Sequence, residues 1–331
     1  MRLSIISILL IIFNVSAFAS DDACKEKLKG LMQTRTEKYL FERHPGVIEL
    51  FQLNCDETDY GNNLITSGAM VFVHEAAHFE DLDWTNTGRT KTNFNLYTVN
   101  DEHIGDYKLD QPIPQPMDLI NPYIEKNKPD FLNEGSVYMS MHDGYLLDDH
   151  SGAAQELRGM ATELNGYTHG SIIQARTSQM IADELTITDE QGNQHTLKNP
   201  FKGQIHQLDG MMYFIYNQNL YLSLLKEQHP DLWLSFYSEH NKIFMRKMLL
   251  ASIETLKKVN HCKAKETYYN VQFYIDELKQ MDLSILNDIL DEKSLKDLLC
   301  IQEKSAIKDI EKLNGEIERT INSVTQSKNC K

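Results

Sequence analysis

Two histidines and a glutamate stand within five residues of one another, in the stretch His74-Glu75-Ala76-Ala77-His78. On an α-helix, residues four apart lie on one face a turn apart, so both imidazoles can bind a single metal ion. Glu75 lies about 100° around the helix from His74 and can take a proton from a water molecule at such an ion. The spacing therefore predicts a metal site with a general base beside it.

Apolar residues around this motif recur at helical spacing. One row of them lies opposite the histidines: Ile65, Ala69, Phe72, Ala76 and Phe79. A row of this kind predicts an amphipathic helix whose back packs into a core while its histidines face a cleft. We expect the helix to begin after a cap at Asn62 or Asn63 and to run to about Asp83.

A second stretch, residues 131–135, reads Phe-Leu-Asn-Glu-Gly and is followed by Tyr138. Together with the histidine motif it resembles the gluzincin metallopeptidases of the aminopeptidase N and thermolysin types, in which a glutamate on a second helix completes a zinc site. The resemblance covers the two motif segments, roughly 30 residues, and implies a zincin-like core with one Zn²⁺ per chain. The implied general base is Glu75, and the implied zinc ligands are His74, His78 and Glu134.

Glu163 is the competing third ligand. It stands four residues before Tyr167, and a Glu-x-x-x-Tyr arrangement also occurs in some secreted gluzincins. The same resemblance implies a tyrosine or histidine that stabilises the oxyanion formed on the substrate. We take Tyr167 as the first candidate for that role, and the others are His169, His206 and Tyr213. Asp81, one turn beyond His78, is a candidate for orienting a histidine from behind or for a solvated helix end.

The first 19 residues have the features of a secretory signal peptide. Arg2 precedes an apolar run over residues 5–13, and Ala17-Phe18-Ala19 is a small-x-small cleavage signal. The run is shorter than the ~20 residues that a membrane-spanning helix needs. We therefore expect an exported protein, periplasmic or secreted, with no integral membrane segment in the mature chain. The domain prediction is a catalytic domain over residues 20–260 and a helical region over residues 261–331.

The chain of 331 residues has a formal net charge of −15, and removing a leader that contains Arg2 changes this to −16. Such a charge argues against nucleic acid or an anionic membrane as the main partner, because both are themselves negative. The partner that we expect is a peptide or protein substrate.

Five cysteines follow the leader, and export makes disulfides possible. Cys24 and Cys55 are placed to staple the N-terminal segment, and Cys262 could pair with Cys300 or Cys330. Connectivity does not follow from sequence, and an odd cysteine is left over. None of the five has Cys-x-x-Cys spacing, which argues against cysteine zinc ligation or redox catalysis.

The patterns along the chain predict an α+β fold that is predominantly α-helical, with a small sheet beside the motif helix. Strands are expected near 94–99 and 104–109, and a hairpin joins 185–188 to 195–197. Residues 144–152 are expected to form a loop. The predicted helices other than the motif helix are 21–42, 128–142, 153–166, a separate helix from there to 183, 204–228 and 231–258.

These observations lead to one main expectation, an exported zinc metallopeptidase in which Glu75 activates the attacking water. A different class of function is also open, namely a non-catalytic helical binding protein on a zincin scaffold, although the intact Glu75 argues against it. A third possibility is hydrolysis of another amide, such as a cell-wall cross-link. The sequence contains no recognisable wall-binding repeat to support that third possibility.

Overall fold

A computed structural model describes residues 22–55, 68–81, 96–127, 141–147, 151–180, 185–188, 194–197, 202–264 and 269–301. In the N-terminal half of these residues the α-helices are α1 (Asp22–Leu31), α2 (Arg35–Arg43), α3 (Gly46–Leu50), α4 (Ala69–Asp81), α5 (Pro116–Asn127), α6 (Gly152–Gln155) and α7 (Leu157–Met180). The remaining helices are α8 (Lys202–Gln228), α9 (Pro230–Phe236), α10 (Glu239–Lys258), α11 (His261–Ala264), α12 (Tyr269–Gln280), α13 (Ser284–Ile289) and α14 (Glu292–Leu298).

The strands are short and form two antiparallel pairs: β1 (Leu96–Tyr97) with β2 (His103–Gly105), and β3 (Leu185–Thr188) with β4 (Gln194–Leu197). The second pair is in register from Leu185 opposite Leu197 to Thr188 opposite Gln194. The predicted hairpin and the predominance of helix are thus confirmed. In the part of the chain described, no helix is long and apolar enough to cross a membrane.

The N-terminal segment is two helices, so the prediction of one helix over residues 21–42 is wrong. Thr34 ends the first helix region and caps α2, because its side chain accepts a hydrogen bond from the backbone of Glu37 and the Glu37 carboxylate accepts one in return. Glu37 is fully buried, and its carboxylate also pairs with Arg176 of α7 at 2.5 Å. The capping box therefore divides the predicted helix into α1 and α2, and its Glu37 links α2 to α7.

The motif helix is α4, and its back is buried as the apolar row predicts. Ala69, Phe72 and Ala76 are fully buried, whereas Phe79 is half-buried at the edge. They pack against α1, α2 and α3, which contribute Leu28, Leu31, Leu40 and Ile48 to the same core. The N-terminal end of the predicted helix lies outside the described residues, and this end includes Ile65 and the cap at Asn62 or Asn63.

Helix α7 is continuous over 24 residues, so the predicted break near Gly166 is wrong. The first half of α7 packs into a large core with α8, α10 and the C-terminal helices, through Leu157, Met160 and Leu164. Its second half packs into the α1–α4 core through Ile172 and Ile173. Since α7 belongs to both cores, it fixes the position of α4 relative to the rest of the protein.

The C-terminal helices α12, α13 and α14 share the large core with α8 and α10, and Val271, Leu278 and Leu298 are buried there. The predicted helix over residues 231–258 is divided into α9 and α10, because Ser238 caps α10 by accepting a hydrogen bond from the backbone of Asn241. Cys262 and Cys300 form a disulfide that joins α11 to the C-terminal end of α14. Cys55 is also disulfide-bonded; the Cys24 side chain lies outside the description, so the Cys24–Cys55 pairing stays a prediction.

Candidate metal centre

Helix α4 brings the two motif histidines together. Their Nε2 atoms are 2.9 Å apart, and their ring centroids are 4.7 Å apart. The His74 side chain is 7 % exposed and the His78 side chain 16 % exposed. Two imidazole nitrogens this close would repel one another unless a proton or a cation lies between their lone pairs.

Glu163 approaches this pair from α7. Its Oε2 atom is 3.3 Å from Nε2 of His78 and 3.6 Å from Nε2 of His74. Oε2 is buried and makes no well-angled hydrogen bond to any described residue, so it too points at the space between the three side chains. Glu134 lies outside the described residues, and the sequence prediction of that glutamate as third ligand stays a prediction.

The spacing of these three atoms fits a zinc ion. Tetrahedral zinc with bonds of 2.0–2.1 Å to nitrogen and oxygen separates its ligand atoms by about 3.3 Å, and the separations here are 2.9, 3.3 and 3.6 Å. The three atoms lie on a circle of about 1.9 Å radius, so an ion at bonding distance from each would lie just outside their plane. His74, His78 and Glu163 would therefore hold such an ion and leave one tetrahedral position open.

The charge balance of the group suits a cation as well. Burial alone would raise the pKa of Glu163, but the charge of His78 and the approach of both imidazoles hold it well below its usual range. Glu163 is therefore a carboxylate, and with two neutral imidazoles it would leave a net charge of +1 on Zn²⁺. The donor set of two nitrogens and one carboxylate oxygen is one that zinc uses in catalytic sites.

Gly166 explains how two helices come this close. A Cβ atom at this position would lie 3.1 Å from Nε2 of His78 and 3.2 Å from two ring carbons of His74. These distances are shorter than the ordinary contact of about 3.5–4.0 Å. The glycine in the middle of α7 is thus explained by the close approach of the imidazoles, not by a helix end.

Tyr167 lies beside His74, and Tyr145 lies beside Tyr167. The Tyr167 ring is 4.5 Å from the His74 ring, centroid to centroid, and its hydroxyl is 2.8 Å from the hydroxyl of Tyr145. Tyr167 is 2 % exposed, whereas Tyr145 is half-buried. The sequence prediction selected Tyr167 for contact with the substrate; the structure places it next to the metal group but behind Tyr145.

Glu75 follows His74 on α4, and its charge acts on the two tyrosines. Burial raises the pKa of both Tyr145 and Tyr167, and the negative charges of Glu163 and Glu75 raise it further. The charge of each carboxylate therefore acts on both phenols, and Glu75 itself is half-buried.

Tyr145 was missed by the sequence reasoning. It stands in a π-helical turn, Asp143–Leu147. The sequence predicted a loop over residues 144–152, and over residues 144–147 that prediction is wrong. Turns of this type occur often at functional sites, but a turn of five residues leaves no periodic pattern in the sequence. No signal before the structure distinguished Tyr145 from the other tyrosines of the chain.

Two of the other candidate oxyanion donors, His169 and Tyr213, contact other residues. His169 follows Glu163 by six residues, about 240° around the helix, and its Nε2 lies 2.9 Å from the carbonyl oxygen of Tyr97. The Tyr213 hydroxyl is 3.4 Å from Nδ1 of the buried His142. The side chains of His206 and Asp81 lie outside the description, so their predicted roles remain untested.

A separate cavity of about 320 Å³ lies between α2, α4 and α7. Its lining includes Glu80, Ala77, Asn165 and His169, but none of the three candidate metal ligands. Glu80 is already paired with Arg43 and His44, each at 2.9 Å. This cavity is therefore distinct from the metal group and lies on another face of the same helices.

Comparison of the chain with models of known protein families, with curated proteins and with solved structures finds no match.

Proposed function

We propose that this chain is a zinc-dependent hydrolase of the His-Glu-x-x-His class with a zincin-like core, in which His74, His78 and Glu163 hold one Zn²⁺. The observation that carries the proposal is the convergence of Oε2 of Glu163 on the two Nε2 atoms, at 3.3 and 3.6 Å, next to Glu75 in the sequence of α4. Three groups from two helices, 85 residues apart between His78 and Glu163, have their ligand atoms within 4.8 Å of one another.

Within that class we propose a peptidase. Zinc, when bound, supplies a Lewis acid for the substrate carbonyl and lowers the pKa of a bound water to about 7. Glu75 accepts a proton from the water that attacks the carbonyl carbon and delivers it to the leaving amine. With the leader predicted over residues 1–19, the proposal places this activity outside the cytoplasm.

Tyr145 is the donor that we propose for the oxyanion. Its phenol is half-buried and stays protonated because burial and nearby carboxylates raise its pKa, so it can donate to a developing negative charge. Tyr167 then has a positioning role, because its hydroxyl lies 2.8 Å from that of Tyr145.

The test begins with metal content and peptide cleavage by the purified protein. We expect one equivalent of zinc and cleavage of a mixed peptide pool, detected by mass spectrometry. Glu75→Gln should keep the zinc and lose activity by about 10²-fold or more, since it removes only the base. One equivalent of zinc with no cleavage of any peptide pool would instead favour the binding-protein hypothesis.

Three glutamine variants distinguish the possible third ligands. Glu163→Gln should lower zinc affinity by more than about 10-fold, because loss of even an indirect partner of a metal ligand costs that much. Glu156→Gln, an exposed carboxylate before the start of α7, is the matched control and should bind zinc normally. If Glu134→Gln loses zinc and Glu163→Gln does not, the ligand assignment proposed here is wrong and that of the sequence resemblance is right.

A further inference from the structure

A second group of possible metal ligands surrounds the disulfide between α11 and the C-terminal end of α14. The Sγ atoms of Cys262 and Cys300 lie 3.5 and 3.3 Å from Nε2 of His261. One ligand atom from each of the three residues falls within 4.8 Å of the others. His261 is 1 % exposed, while both cysteines are half-buried, so the sulfurs can be reached from solvent.

The two helix ends are held together by more than the disulfide. Lys257 of α10 pairs with Asp297 of α14 at 2.7 Å, and Nε2 of His261 lies 3.2 Å from the carbonyl oxygen of Leu298. Leu256 and Leu298 are fully buried in the shared core. These contacts would keep the sulfurs and the imidazole adjacent if the sulfur–sulfur bond were opened.

Cys300 occupies a backbone position that favours glycine. Its φ is +54°, and the amides of Cys300 and Ile301 bond back to the carbonyls of Asp297 and Lys296, which closes α14 with a left-handed cap. A cysteine here carries a conformational cost that glycine would avoid. The Sγ atom of this same Cys300 lies 3.3 Å from Nε2 of His261.

We propose that the Cys262–Cys300 disulfide is the oxidised form of a Cys₂His site for a soft divalent metal such as zinc or cadmium. Tetrahedral zinc with bonds of about 2.3 Å to sulfur and 2.0–2.1 Å to nitrogen separates sulfur from nitrogen by about 3.6 Å, close to the 3.3 and 3.5 Å found here. Two thiolates and one neutral imidazole would balance the charge of the ion. Nε2 of His261 is the nitrogen nearest both sulfurs and the Leu298 carbonyl oxygen. Metal binding through Nε2 would therefore require it to release the hydrogen bond to that carbonyl, with the ring proton carried on Nδ1 instead.

The conversion needs a dithiol reductant. The dithiol gives two electrons and two protons to the Sγ–Sγ bond, which opens to two thiols while the dithiol becomes a disulfide. Metal binding then displaces the two thiol protons to solvent. The site is thus available only to the reduced chain, and oxidation releases the ion.

The experiment titrates Cd²⁺ into the full-length mature protein under anaerobic conditions, with and without prior reduction by dithiothreitol and its removal. Thiolate-to-cadmium charge transfer absorbs in the ultraviolet, and the His74–His78–Glu163 group contains no sulfur, so it does not contribute. The matched control is the double variant Cys262→Ser and Cys300→Ser, which keeps the other three cysteines. Far-ultraviolet circular dichroism follows the helix content throughout.

We expect the reduced wild type to bind one more Cd²⁺ than the oxidised protein, with a charge-transfer band that the double serine variant lacks. His261→Phe, which keeps a ring of similar size, should weaken this binding at least tenfold. Equal absorbance in the wild type and the double variant would overturn the proposal. Loss of helix on reduction would overturn it as well, because the site requires the two helix ends to stay together without the covalent link.

Discussion

Gly166→Ala gives the sharpest test of the metal centre, because it acts on metal binding and on helix stability in opposite directions. The new Cβ would lie 3.1 Å from Nε2 of His78 and 3.2 Å from two carbons of the His74 ring. Reaching an ordinary contact of about 3.5–4.0 Å moves the imidazoles by a few tenths of an ångström. Metal–ligand distances tolerate only about ±0.2 Å, so we expect zinc affinity to fall at least tenfold.

The same change should help the helix itself. Alanine in place of a glycine inside a helix stabilises it by about 0.5–1 kcal/mol, which offsets the cost of moving the two rings in the metal-free protein. The free energy of unfolding without metal should therefore change by less than about 1 kcal/mol. With excess zinc, each tenfold loss of affinity should remove about 1.4 kcal/mol of the stabilisation that the ion provides.

The assay is competition for zinc against a chelating dye, combined with thermal unfolding with and without the metal. Gly30→Ala is the matched control, because Gly30 lies on an exposed part of α1 and a Cβ there meets nothing within 4 Å. It should reproduce any gain in helix stability and leave zinc affinity unchanged. If the Gly166→Ala variant binds zinc with an affinity within twofold of the wild type, then His74, His78 and Glu163 do not hold the ion together beside residue 166.

Three further perturbations follow from the geometry. Tyr145→Phe should lower kcat of peptide cleavage by about 10²-fold with zinc content unchanged. A rise in KM with kcat unchanged would instead show that the hydroxyl serves substrate binding. Gly210→Ala would place a Cβ into the buried Tyr167 ring and should cost about 1–3 kcal/mol of stability in urea unfolding; an undiminished cost in a Tyr167→Ala background would show another origin. Burial lowers the pKa of His142 from its ordinary 6.5 to about 4, so the neutral form stabilises the fold above pH 6.5 and that contribution is lost as the pH falls toward 4. Between pH 7 and pH 5 the wild type should lose about 2 kcal/mol more than His142→Gln, and parallel curves would contradict the buried, neutral His142.

The motif helix could be predicted because its evidence is local. Helical spacing of apolar residues placed the back of α4 correctly, with Ala69, Phe72 and Ala76 fully buried. The hairpin of β3 and β4 followed from a turn sequence between two short β-rich runs. In each case residues within about ten positions of one another decide the structure.

The rest of the site depends on contacts between distant residues. Glu163 stands 85 positions after His78, and only the packing of α7 along α4 brings its carboxylate to the imidazoles. Glycine is typical of helix ends, yet Gly166 lies inside α7, because the histidine rings occupy the space that a larger side chain would need. Tyr145 reaches Tyr167 from a π-helical turn that has no periodic signal. The break at Thr34, in contrast, was visible as Thr-x-x-Glu and was overlooked.

The ion pair between Glu37 and Arg176 bears on what the loss of the N-terminal helices would do to the fold. Glu37 has no exposed surface, and its partner Arg176 lies on α7, the helix that also carries Glu163. Proteolytic trimming past Arg43 would strand that guanidinium and uncover Phe72 behind the motif histidines. The first helices are therefore part of the support of α4, and removing them would expose the core behind the motif histidines.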